Sequence, residues 1–287
     1  MTSNDWKSCS AGSIIELEQI ALRPRTRHNA AMKIATYNVN GIKARIPRLI
    51  EWLDETKPDI VCLQELKSSD ETIPIADIEA AGYGGVYHGQ KAFNGVAILA
   101  RGETPVLVKK GLAGEPEDEM SRYIEADVMG LRVASIYLPN GNPQPGPKFD
   151  YKLRWMERLR ARAAEVLALE IPTVLAGDYN VIPTDIDIAN PRAMAEDALM
   201  QPESRAAFRR ITAQGWTDAL RAVQPSGKFW TYWDYQAGAL QRDAGFRIDH
   251  LLLSPEAADR LTGAGVDKDH REREKASDHA ATWITLT

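Results

Sequence analysis

Apolar residues recur along this chain in two rhythms, and the switches between them outline its elements. Residues 33–40 read as a strand that Met32 opens cleanly. Ile46, Leu49, Ile50 and Leu53 then recur at helical spacing; Pro47 suits an early turn, and Lys57-Pro58-Asp59 ends the helix. Residues 60–64 are a short buried strand delivering Glu65 at its C-terminal end. Further strands are predicted over 95–100, 122–128 and 131–138, and the glycine and charged turns between them suggest antiparallel neighbours. A Pro/Gly/Asn loop fills 139–147. The opening pattern then returns. A strand ends at Tyr137, and Leu153, Met156, Leu159, Ala163, Val166 and Leu167 mark a long amphipathic helix. Pro172 breaks it, and residues 173–176 form a strand delivering Asp178 and Asn180. Two strand–helix–strand units thus each end in acid-bearing residues. Residues 182–208 read as mixed helix and loop, 228–235 as an aromatic-rich stretch, and 246–253 and 281–286 as closing strands.

Residues 1–31 are unlike the rest. Their start is polar and turn-rich, 14–22 could form a short helix, and Arg23-Pro24-Arg25-Thr26-Arg27-His28 is basic and broken by proline. They are read as a disordered extension, or as sequence upstream of a true start at Met32. No internal linker divides the remainder, so 32–287 is expected to be one catalytic domain.

Composition narrows the class. The chain has 287 residues, 44% of them hydrophobic, enough for a sizeable core. No apolar run approaches the roughly 18 residues of a membrane span. Two cysteines, Cys9 and Cys62, lie far apart without metal-type spacing, which points to a reduced, cytoplasmic protein with Cys62 as an inert core thiol. A net charge of −5 argues against a broad basic surface for coating nucleic acid, but not against a nuclease, because acidic metal ligands raise the negative count.

Five motifs cap or end strand-like runs: Tyr37-Asn38-Val39-Asn40-Gly41, Gln64-Glu65-Leu66-Lys67, Gly177-Asp178-Tyr179-Asn180, Arg247-Ile248-Asp249-His250 and Ser277-Asp278-His279. Alone, each has a bland reading: an Asx turn, a solvated strand end or a cap. Together they supply oxygen ligands for a hard cation, a carboxylate to handle a proton and a histidine to meet a phosphate, the inventory of metal-assisted phosphodiester hydrolysis. Glu65 helped by Asn38 or Asn40 suits Mg2+, which favours few protein carboxylates. Asp178 and Asn180, two apart, share a side if the strand persists. A mid-strand Asp249 needs a partner, and a histidine it orients is the obvious pairing. His250, facing the other way, is read as structural. Tyr137 and Asn140 offer a phenol and an amide at a strand end. Tyr87-His88-Gly89-Gln90-Lys91 reads as a surface hairpin whose His88 and Lys91 could touch phosphates. Trp230-Thr231-Tyr232-Trp233-Asp234-Tyr235 is either core packing or an aromatic surface for a lesion or sugar.

Taken together, from about Met32 to Thr287, these residues resemble the exonuclease III family of apurinic/apyrimidinic endonucleases, within the endonuclease/exonuclease/phosphatase superfamily. The resemblance implies a four-layer α/β sandwich, two packed mixed sheets flanked by helices. It implies a Mg2+ or Mn2+ site at Glu65 with Asn38, Asn40 and Asp278 near it. It implies that Asp178, positioned by Asn180, handles the proton of the attacking water or the leaving oxygen. His279, held by Asp249, and Tyr137 would contact the scissile phosphate. Tyr232 and Trp233 would line an abasic-sugar pocket, with His88, Lys91 and Asn140 as further DNA contacts. The expected partner is double-stranded DNA with abasic sites or 3′ ends, met by a monomer without membrane attachment. Asn140 stands where bacterial relatives often have glutamine, Gln236 where arginine is frequent, and Ala281 where proline is usual. The first two bear on the balance of endonuclease to exonuclease activity. Fold alone leaves a phospholipid or soluble phosphate ester open as substrate; the aromatic and basic rim should matter for DNA and little for a small ester. A catalytically silent DNA-binding protein is the reading from another class, and the complete metal and proton-handling set stands against it.

Overall fold

The structure, a computed structural model, describes residues 31–287. The expected extension, with its short helix and basic stretch, lies outside the described residues except for Ala31. The strands are β1 (Met32–Asn38), β2 (Ile60–Gln64), β3 (Tyr83–His88), β4 (Val96–Arg101), β5 (Val106–Lys110), β6 (Tyr123–Val128), β7 (Leu131–Tyr137), β8 (Thr173–Asp178), β9 (Thr217–Asp218), β10 (Asp249–Leu253), β11 (Leu261–Val266) and β12 (Thr282–Leu286). The first four helices are α1 (Ile42–Thr56), α2 (Ile75–Ala80), α3 (Pro147–Leu167) and α4 (Pro202–Thr212).

Two six-stranded mixed sheets form, ordered β11-β12-β1-β2-β4-β3 and β5-β6-β7-β8-β10-β9. Strand periodicity makes the layers. In β2, Ile60 and Cys62 face the core between the sheets, while Val61 and Leu63 pack outward with Leu49, Trp52 and Leu53 of α1. In the second sheet, Val174 and Ala176 face inward, and Leu175 packs outward with Trp155, Met156 and Leu159 of α3 and Phe208 of α4. This is the expected four-layer α/β sandwich. Cys62 is wholly buried there, and burial pushes its thiol pKa up, as an inert core thiol requires. A polar thread crosses the core. Thr36 Oγ1 donates to Gln64 Oε1 at 3.1 Å, Gln64 Nε2 to Ser135 Oγ at 3.0 Å, and Ser135 Oγ to the Leu63 carbonyl at 2.9 Å. Each of these buried polar groups thus keeps a partner, and Gln64 and Ser135 bond across the sheet-to-sheet gap.

The parallel pairs, β1–β2 and β7–β8, are the two strand–helix–strand units read from the apolar rhythm. Both deliver their C-terminal ends to one edge of the sandwich. There β10 runs antiparallel to β8 with Asp249 opposite Asp178, and Tyr137 pairs with Asp178 on the other side. Asp249 therefore begins its strand instead of sitting within it, and of the three residues before it only Phe246 bridges other segments, at Ile188 and Tyr232. Helix α1 starts at Ile42, so Pro47 falls inside it and not in its first turn. Four strands have no counterpart in the sequence reading: β3, β5, β9 and β11. Gly84 and Gly85 occupy β3, three apolar residues of β5 face solvent, and β11 carries glycines against Trp283, where a Cβ on Gly265 would lie 2.6 Å from the indole.

Candidate active site

The edge where β1, β2, β7 and β8 end and β10 begins gathers most of the predicted residues. Asn38 is fully buried and joins the two sheets: its Nδ2 donates to Glu65 Oε1 at 2.9 Å and to Asp178 Oδ2 at 3.0 Å. Its Oδ1 accepts from the Asn40 amide at 3.0 Å. The chain leaves each strand here through the left-handed region, with φ of 46° at Asn40, 52° at Glu65 and 47° at Asn180. Non-glycine residues hold such conformations at a cost that the surroundings must offset, and they concentrate at functional sites. Here the surroundings are side-chain hydrogen bonds back to the strand ends. The Asn180 amide donates to Asp178 Oδ1 at 2.9 Å and its Nδ2 to the Leu138 carbonyl at 2.9 Å.

Histidine and acid meet as expected. His279 Nδ1 lies 2.8 Å from Asp249 Oδ2, and its Nε2 is 3.7 Å from Asp178 Oδ2. Burial alone would lower the imidazole pKa, but the Asp249 carboxylate, with Asp178 and Asp278 behind it, outweighs burial and raises it to about 10. The ring is an imidazolium at neutral pH. Burial pushes Asp178 up to about 7; His279 opposes, while Asp249 and Glu65 add to the rise. Tyr137 remains a neutral phenol, pushed well up by burial and by the Glu65 and Asp178 carboxylates. The Arg122 guanidinium sits 4.9 Å from the centre of its ring.

The donor chemistry fits a hard divalent cation. Carboxylate oxygens of Glu65 and Asp178 lie within 4.8 Å of one another, with the His279 imidazolium, a donor and not a ligand, within the same reach. The predicted set of Asn38, Asn40, Glu65 and Asp278 is also contiguous: Asn40 Nδ2 donates to Asp278 Oδ1 at 3.0 Å. Lys67 already presents a positive charge there, its Nζ 2.7 Å from Glu65 Oε2 and 2.5 Å from Asn40 Oδ1. Burial would raise the Glu65 pKa, but Lys67 and the Asn38 amide together hold it below its ordinary value. A cluster of oxygens that accommodates one cation suits another.

The rim departs from expectation at one residue. Tyr232 is half-buried, its ring edge-on to His279 at 5.0 Å and tilted on Phe246 at 4.6 Å. Trp233 is not beside it on an open surface. It is 1% exposed, packs with Trp230 and Ala280, and donates its indole N–H to Asp243. Strand alternation explains this, since neighbours in an extended segment face opposite ways. Asn140 is exposed and donates to Asn180 Oδ1 at 3.1 Å, so it belongs to the catalytic cluster as well as to the surface. His88 ends β3 and Lys91 sits on the β3–β4 connection, which meets the Glu65 loop where Leu66 and Lys67 donate to the Gly95 and Asn94 carbonyls. Lys91 is exposed; His88 is half-buried beside Ser121, and burial lowers its pKa.

The sequence reading assigned no role to Lys67, Arg122 or Ser277, although Ser277 Oγ donates to the Asn38 carbonyl at 2.6 Å and ties the Asp278-His279 loop to β1. The signal for Lys67 was its place two residues after a ligand carboxylate. Arg122 and Ser277 carried none beyond residue type.

The model of the endonuclease/exonuclease/phosphatase family matches residues 35–279 of this chain. Exodeoxyribonuclease III of Haemophilus influenzae is 33% identical over 265 residues, covering 88% of this chain and 98% of that protein. The chain superposes on an AP endonuclease from Archaeoglobus fulgidus with a TM-score of 0.85 and 38% identity, over 89% of this chain and 99% of that one. It superposes on a 3′ phosphatase from Neisseria bound to a product DNA hairpin with a TM-score of 0.87 and 38% identity, over 90% and 100%.

Proposed function

Since this chain belongs to the endonuclease/exonuclease/phosphatase family, we propose that it is a metal-dependent DNA-repair phosphodiesterase. It cleaves 5′ to abasic sites and removes nucleotides or blocking groups from 3′ ends. It acts as a monomer in the cytoplasm, on double-stranded DNA, with Mg2+ or Mn2+. The observation that carries this reading is the buried series Asn38, Asp178, His279 and Asp249, joined atom to atom across two sheets.

Glu65, with Asn38, Asn40 and Asp278 around it, would hold the cation, and Asp178 borders the same space. When bound, the metal neutralises phosphate charge and orients its oxygens. The protein's own groups do the rest. His279 is cationic at working pH, so it cannot serve as a base; it donates from Nε2 to a phosphate oxygen as negative charge builds there. Asp249 holds that ring by Nδ1. Asp178, whose pKa lies about 7, takes the proton of the attacking water, its oxygens fixed by the Asn180 amide and the Asn38 side chain. The neutral Tyr137 phenol is a second donor to the phosphate. An abasic nucleotide has no base to unstack, so admitting it beside Tyr232 costs less than extruding an intact one. His279→Ala should lower turnover on an abasic-analogue duplex by at least ~10²-fold with the melting transition unchanged. Near-wild-type turnover would remove this site assignment.

A further inference from the structure

Helix α3 carries a lysine on its buried face. Lys152 has no exposed surface, and its ammonium donates to three backbone carbonyls, of Asn180 at 2.6 Å, Asn140 at 3.0 Å and Ala198 at 3.4 Å. All three acceptors are neutral. Burial lowers the lysine pKa to about 7 against the pull of Asp197 and Asp178, so the charge is held here at a penalty. Methionine has nearly the same length and would fill the space without desolvating a charge. What it lacks is the three donors.

Those donors join three separate stretches of chain. Asn140 follows β7, Asn180 follows β8, and Ala198 lies in the segment leading to α4. The stretches are cross-linked around the ammonium. Asn140 Nδ2 donates to Asn180 Oδ1, the Ala198 amide donates to Asn142 Oδ1 at 3.0 Å, and Asn142 Nδ2 donates to Asp197 Oδ1 at 3.0 Å. The lysine stem also explains Gly141. This residue has a φ of 93°, and a Cβ there would lie 2.7 Å from Lys152 Cδ. The loop is thus shaped to admit the side chain.

We propose that Lys152 is a positioning residue for the phosphodiesterase reaction, its ammonium clamping the Asn140 and Asn180 backbones so that Asn180 holds Asp178 in register. The proposal rests on the roles given above to Asn180 and Asp178. Lys152 itself touches no reacting atom. Its effect runs through Asn180, whose amide fixes Asp178 Oδ1 and whose carbonyl the lysine holds. Misplacement of a reacting group by about 1 Å is enough to cost ~10²-fold in rate.

The test is a double-mutant cycle on the full chain, with Lys152→Met, Asp178→Asn and both together, using a duplex carrying a tetrahydrofuran abasic analogue. Lys152→Met is expected to lower kcat by ~10–10²-fold while KM stays within ~3-fold. The double mutant should be no more than ~3-fold slower than Asp178→Asn, because the clamp is idle once there is no carboxylate to place. A purely structural lysine would instead give losses that multiply, and that outcome overturns the proposal. So does a folded Lys152→Met enzyme at wild-type kcat. If Asp178→Asn itself keeps wild-type turnover, the site reading fails, and the clamp proposal falls with it. Circular dichroism melts establish that each variant is folded; if Lys152→Met is not, Lys152→Gln, which keeps an amide donor but loses the charge, carries the same comparison.

Discussion

Asp249 and Asp178 face each other directly across the β8–β10 ladder, with the His279 ring bonded to the first and 3.7 Å from the second. Two carboxylates and one imidazolium share a dry space, and both carboxylates raise the proton affinity of the ring.

Asp249→Asn tests the first half of that arrangement. The wild-type imidazole keeps its proton up to about pH 10 because the Asp249 carboxylate outweighs the effect of burial. Without that carboxylate the strongest influence opposing burial is gone, and the pKa falls. At pH 8 turnover should fall by at least ~10²-fold, and the deficit should shrink toward pH 6. Stability follows the same sign. A group with a raised folded pKa stabilises fully below its ordinary value near 6.5, and that stabilisation is lost as pH climbs through about 10. A pH–rate profile whose alkaline limb does not move in the mutant would contradict the assignment.

Asp178→Asn should separate activity from stability. The folded carboxyl binds its proton up to about pH 7, whereas the unfolded one releases it near 3.8. Stability therefore falls as pH rises between those values. Without metal, the mutant should melt about 2–4 °C higher at pH 8, the shift that ~1 kcal/mol gives a domain of this size. The gain should vanish at pH 4, while turnover is lost throughout. Calorimetry in EDTA at both pH values checks it.

The neighbours Tyr232 and Trp233 should behave oppositely. Trp233→Ala removes a buried indole and should cost about 3–5 kcal/mol of stability, leaving the folded fraction's preference for abasic over intact DNA unchanged. Tyr232→Ala should barely move the melt and should weaken that preference. Urea titrations set beside competition between the two duplexes decide the point.

Arg247 is 1% exposed and bridges Asp187 and Asp218 at 2.8 Å each, with the His250 ring against it at 2.9 Å. Arg247→Met removes one of the two guanidiniums on the buried Asp187 carboxylate, which keeps Arg221 and Thr184, and should cost about 1–3 kcal/mol at pH 7. Burial would raise Asp187, but Arg247, Thr184 and Arg221 hold it well below its ordinary 3.8. A depressed acid stabilises above that ordinary value and loses the contribution as pH falls, so the mutant's deficit should narrow in acid. Urea unfolding at pH 7 and pH 3 measures it.

The layered body was legible because β1, β2, β7 and β8 are buried apolar runs and α1 and α3 carry apolar stripes. Edge strands were not: β3 and β11 are diluted by glycine, and β5 exposes Val106, Leu107 and Val108. At the site, strand-end acids were legible because carboxylates after apolar runs are unusual. The distinction between Tyr232 and Trp233 was not, since alternation says that one faces inward without saying which. Lys152 was within reach. Phe149, Lys152, Met156 and Leu159 fall at helical spacing, so a lysine stood on the apolar stripe of α3.

The central claim is tested most directly on a 5′-labelled duplex carrying one tetrahydrofuran abasic analogue, incubated with Mg2+ or with EDTA beside an intact control duplex. A single cut 5′ to the analogue is expected in Mg2+ and none in EDTA. An analogue left uncut while the control is degraded from its 3′ end would contradict the endonuclease activity, and no reaction on either duplex would contradict DNA as the substrate.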